Sequence, residues 1–188
     1  MLRLIFSLVF IIPFFSIMGQ NISFYKENIT MKIEKEAFYV TGIYQVKTDT
    51  CQKGILLYPF PEDRKYGKVD SIYIYNLTTN QIIEPLKVES SHLIFKIDFS
   101  RHKDLKIHIS YRQKLNSTRA EYILKTTQSW HKPLLSANYQ LIVPSDVMVY
   151  QFSILPQDWI ITETETIYYW EKSNYMPEEN FIFDFIKK

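Results

Sequence analysis

Apolar and polar residues alternate with a period of two along most of the chain. The clearest stretches are Leu93, Phe95, Ile97 and Phe99, followed by Leu105, Ile107, Ile109 and Tyr111, with mostly polar residues between them. Successive side chains of a strand point to opposite faces, so this spacing predicts two half-buried strands. The polar link over residues 100–104 predicts that they form a hairpin, with Phe99 opposite Leu105 and Phe95 opposite Ile109. In that register Asp98 lies across from Lys106, His108 from Lys96 and His92 from Arg112.

Similar runs predict strands over residues 37–46, 55–58, 69–75, 81–88, 121–125, 137–143, 147–154, 164–170 and 181–186. Gly42 inside the first of these implies a bulge or a close backbone approach. Pro59 and Pro61 lack backbone donors, so pairing stops there or the strand lies on an edge. Helix-favouring patterns are scarce. Only residues 129–136 could hold a single turn, and Pro133 limits it. The pattern predicts an all-β chain, a single antiparallel β-sandwich of roughly ten short strands.

The first residues read differently. Arg3 precedes an uncharged, mainly apolar run from Leu4 to Phe15, and Gly19 offers a small residue ahead of Gln20. This is the layout of a secretory signal peptide over residues 1–19, leaving residues 20–188 as one domain. The run is shorter than a membrane span requires, so the mature chain is expected to carry no transmembrane segment. Export would place the single Cys51 in an oxidising compartment without an internal partner, and an inert thiol is expected there.

Three segments carry a family resemblance: Val40-Thr41-Gly42-Ile43-Tyr44-Gln45-Val46, then Ile55-Leu56-Leu57-Tyr58-Pro59-Phe60-Pro61, then Val69-Asp70-Ser71-Ile72. Together they resemble the VIT domain pattern, in which a strand runs into an aromatic–proline element and the next strand opens with valine. The resemblance covers residues 30–75 and implies a β-sandwich of the extracellular space or cell envelope. VIT domains usually precede a von Willebrand A domain with an Asp-x-Ser-x-Ser metal run, which this sequence lacks. The resemblance therefore bears on fold and location and implies no site residues.

Composition narrows the function classes. The net charge of +2 leaves no basic footprint for nucleic acid. Four glycines do not build a phosphate cradle. His92, His102, His108 and His131 show no metal-ligand spacing, and neither metal nor cofactor is expected. Ser71, Ser129 and Ser153 lack a nucleophile-elbow setting, and Glu163 with Glu165 reads as a solvated rim, so no catalytic residue is assigned. Aromatics, at 16% of residues, are the remaining chemistry. Rings outside the core anchor interfaces or stack on sugars. Tyr66, Trp130, Tyr169 and Trp170 are the candidate binding residues, with Trp159 beside them. The expectation is a non-catalytic module binding another envelope or extracellular protein. The alternative is a carbohydrate-binding module or small glycan-active enzyme.

Overall fold

The computed structural model describes residues 22–50 and 53–188. The leader over residues 1–19 and Cys51 lie outside the described residues. Strands make up 65% of the structure, which places it in the all-β class. Among the described residues the strands are β1 (Ile22–Glu34), β2 (Ala37–Thr48), β3 (Lys53–Pro59), β4 (Val69–Asn76), β5 (Gln81–Ile82), β6 (Pro85–Val88) and β7 (His92–Asp98). They continue with β8 (Asp104–Lys114), β9 (Arg119–Tyr122), β10 (Leu134–Pro144), β11 (Val147–Phe152), β12 (Asp158–Ile161), β13 (Glu165–Tyr175) and β14 (Phe181–Lys187). One helical turn, α1 (Asp63–Tyr66), and one 3-10 helix (Lys125–Trp130) interrupt them. The helical turn expected over residues 129–136 is thus displaced toward the N-terminus. Leu134 already belongs to β10.

The architecture departs from a single antiparallel sandwich of short strands. Eight strands form one sheet in the order β12-β13-β10-β1-β2-β8-β4-β5, and two separate three-stranded sheets have the orders β11-β14-β9 and β3-β7-β6. β1 and β10 run parallel. Five strands of the large sheet are 11 to 13 residues long. Alternation assigns a face to each residue but not a partner to each strand, which is why neither the parallel pair nor the third sheet follows from it.

The two small sheets cover one face of the large one. β14 packs on β10 and β13 through Tyr139–Phe181 and Trp170–Phe181 ring contacts at 5.0 and 4.9 Å. β3 and the residue after it pack on β2 and β8 through Tyr58–Tyr44 at 5.6 Å and Phe60–Tyr111 at 5.3 Å. The core lies between these layers and takes in residues from all three sheets.

The expected hairpin is corrected in the same way. Leu93, Phe95 and Ile97 are buried as predicted, and so are Leu105, Ile107, Ile109 and Tyr111. β7, however, pairs with β3 and β6, whereas β8 pairs with β2 and β4. The two strands face each other across the core instead of lying side by side. Asp98 consequently meets Lys53 at 3.6 Å instead of Lys106. His108 stands beside Tyr73, their rings 5.9 Å apart, and His92 aligns with Pro59.

Candidate functional site

The site begins with a phase change in β1. Ile22 and Phe24 face inward at even positions. The pairing with β2 shifts between Phe24 and Lys26, and beyond that bulge the odd positions Glu27, Ile29, Met31 and Ile33 are buried. One inserted residue exchanges the two faces of a strand. Here it carries a glutamate into the core with only 3% of its surface exposed. Glu27 sits opposite Tyr44 on β2 and Ala137 on β10, and the hydroxyl of Tyr139 donates a hydrogen bond to its Oε1.

Gly42 positions Tyr44. The two share a face of β2, and a Cβ on Gly42 would stand 2.4 Å from the Tyr44 hydroxyl. With no side chain there, the Tyr44 ring leans back along its strand toward the small sheets. Its hydroxyl bonds to those of Tyr58 on β3, at 2.8 Å, and Tyr122 on β9, at 2.9 Å. Tyr44 therefore marks the seam where the two small sheets meet above the large one.

Burial dominates the electrostatics. It lifts the Glu27 carboxyl to about 7, against the lowering effect of the Tyr139 hydrogen bond. Burial likewise pushes Tyr44, Tyr58, Tyr122 and Tyr139 far above the ordinary phenol range, so each keeps its proton at neutral pH. Among the described residues the ion pairs lie elsewhere, and none involves Glu27. A buried carboxylate without a cation is costly, and such groups concentrate at functional sites.

A cavity of about 70 Å³ opens beside this cluster. Its walls are apolar, with Val46, Phe95 and Ile107 among them, and its outer part is formed by the half-buried Leu57, Pro59, Ile123, Thr126 and Trp130. Trp130 ends the 3-10 helix, and its ring lies 6.3 Å from that of Phe24. Chemically the cavity offers one carboxyl group, several hydroxyls and aromatic walls. A wider cleft of about 710 Å³ runs between β5 and the end of β7, but its charged groups are solvated ones such as Lys96 and Arg101. Among the described residues no group of three or more His, Cys, Asp or Glu converges to hold a metal.

The four candidate aromatics are not brought together. Trp130 alone reaches the seam cavity. Tyr66 is 2% exposed, buried against β9, and its hydroxyl reaches the Glu121 carboxylate. Trp170 is 1% exposed, among Phe152, Phe181 and Phe183, with its Nε1–H donating to the Ile154 carbonyl at 3.1 Å. Both are buried, Tyr66 by the helical turn α1 and Trp170 by the inward face of β13, which removes them from any surface contact. Tyr169 faces the opposite side of the large sheet, in a cleft of about 540 Å³ with Asn28, Asn138, Gln140 and Glu171. Trp159 stands 56% exposed on the edge strand β12. Glu27 was missed because a glutamate reads as a surface residue. The available signal was its two-residue spacing from Ile29, Met31 and Ile33.

No family model matches the sequence, and no curated protein matches it either. Solved structures share the fold at low identity. A candidate nutrient binding protein from Legionella pneumophila superposes with a TM-score of 0.71 at 10% identity, over 89% of this chain and 67% of that one. An M1 zinc metallopeptidase from Deinococcus radiodurans gives 0.54 at 6% identity, over 88% of this chain and 43% of its own. The chain thus spans less than half of the peptidase. These likenesses establish the fold alone. Among the described residues no helix is long and apolar enough to cross a membrane.

Proposed function

We propose that this chain is an exported, non-catalytic binding module that recognises a protein partner of the cell envelope or extracellular space at the mouth of the seam. The observation that carries the reading is the buried Glu27 beside an apolar cavity, with the partly exposed Trp130 at its outer end. Pockets with apolar walls and a few converging polar groups are the common form of a recognition site. Partly exposed tryptophans are frequent anchors of interfaces. The charge-free leader run and the VIT-like segments support the location. The Legionella neighbour of similar fold is named for nutrient binding, which accords with a binding role.

The test is a photo-crosslinker in place of Trp130, with a second in place of Tyr39 on the opposite face of the large sheet. The expected result is a defined crosslinked partner from position 130 and none from position 39. Equal crosslinking from both positions, or none from 130, would refute the reading.

A second reading is favoured by the cleft around Tyr169. Asn138 donates to Asn28 at 2.9 Å and Gln140 to Thr30 at 2.6 Å, giving a neutral hydrogen-bonding row beside an aromatic ring. That chemistry suits a glycan. Binding on a glycan array that is lost in Tyr169→Ala would favour it over the seam.

A further inference from the structure

This inference rests on the seam being a binding site and names the chemistry that enters it. The cavity holds the Glu27 carboxyl, which accepts a hydrogen bond from the Tyr139 phenol, with the linked hydroxyls of Tyr44, Tyr58 and Tyr122 lining the same cavity. Aromatic rings stand on the same side: Phe24 lies 5.8 Å from Tyr44 and 6.3 Å from Trp130, centroid to centroid. Rings of this kind attract a cation over their faces. A carboxyl group that no ion pair engages among the described residues, phenolic oxygens and a ring wall together make a receptor for a positive group with several N–H donors.

Hydrogen bonding selects among cations. A primary ammonium can donate to the carboxylate and to phenolic oxygens at once, whereas a quaternary ammonium has no N–H to donate. The methylenes of an alkyl chain would leave along the apolar outer wall, past Leu57 and Ile123.

We infer that the seam cavity binds the primary ammonium head of an aliphatic amine, with Glu27 as its counter-ion and the surrounding phenolic oxygens as further acceptors. The amine could be a free alkylamine or the lysine side chain of a partner. The chemistry is the same, and the experiment separates the two sources.

The test is an NMR titration of the purified protein, read at the indole N–H signals of Trp130, Trp159 and Trp170, in amine-free phosphate buffer. The probes are n-butylammonium, its neutral analogue butan-1-ol, and tetramethylammonium. Butylammonium is expected to shift the Trp130 signal and to bind at least tenfold more tightly than butanol, with no shift from tetramethylammonium. Glu27→Gln is close in shape and removes the charge, so its preference for the cation should vanish. Trp130→Ala, which leaves Glu27 in place, should weaken butylammonium severalfold and can be followed at backbone amides of β9.

A second pair of probes is a short lysine peptide and its Nε-acetylated form. Preference for the free lysine assigns the amine to a partner chain, whereas binding of butylammonium but of neither peptide assigns it to a free amine. Equal affinity for butanol and butylammonium, a preference that survives in Glu27→Gln, or a shift confined to Trp159 would overturn the inference. Crosslinking from position 130 without any amine preference would remove this inference while leaving the binding-module reading intact.

Discussion

Removing the charge of Glu27 should stabilise the protein, and by an amount that depends on pH. Burial raises its carboxyl from 4.5 to about 7 in the folded chain. In the unfolded chain the group returns to its ordinary value. Between those two values the native state holds a proton that the unfolded state has released. Stability therefore falls as pH rises through this window, and the loss is complete above pH 7. A difference of about 2.5 pKa units corresponds to roughly 3 kcal/mol. Glu27→Gln keeps the shape and an acceptor for the Tyr139 hydroxyl but cannot ionise. It should match the wild type near pH 4.5 and exceed it by roughly 3 kcal/mol at pH 8, or about 6–12 °C in Tm for a domain of this size. The nearby phenols of Tyr44, Tyr58, Tyr122, Tyr139 and Tyr175 titrate far higher and stay out of the window. The assay is urea unfolding of both at pH 5, 6, 7 and 8 in phosphate-based buffer without amines. A constant gap between the two proteins, or one that widens toward acid, would show that Glu27 is not the buried, uncompensated carboxylate described here.

Other substitutions test the parts that build the site. Tyr139→Phe deletes the hydroxyl that donates to Glu27, and urea midpoints at pH 8 should show a loss of about 1–3 kcal/mol, shrinking at pH 5 where the carboxyl is protonated. Gly42→Ala forces a methyl group against the Tyr44 ring. The same assay should register a cost of about 1–3 kcal/mol, much of it recovered when Tyr44→Leu is added. Trp170→Ala removes a ring that is 1% exposed and should cost about 3–5 kcal/mol. Tyr169→Ala, one residue earlier on the opposite face, should cost much less. Comparable losses for the two would contradict the assignment of faces on β13.

What the sequence makes legible is which face of each strand is wet, and what it conceals is which strand lies alongside. Leu93 to Phe99 and Leu105 to Tyr111 are buried as their spacing requires, yet the link between them changes layer. Five residues reach about 16 Å, more than the roughly 10 Å between packed sheets, so the same polar link serves a hairpin or a crossing equally well. Face assignment also decided the fate of the candidate aromatics. Trp170 is locked inward by the alternation of β13, and Trp130 stays partly exposed because it ends a 3-10 helix outside any strand. The candidate site lies where the alternation is broken. Two exceptions make it: a bulge that turns Glu27 inward, and a glycine at an inward position that lets Tyr44 lean across the seam. A strand selected for packing alone would place an apolar residue at position 27, in step with Ile29, Met31 and Ile33. A glutamate held there with no cation beside it among the described residues, at a cost to stability above neutral pH, implies that something other than packing keeps it, and a bound positive group would offset that cost.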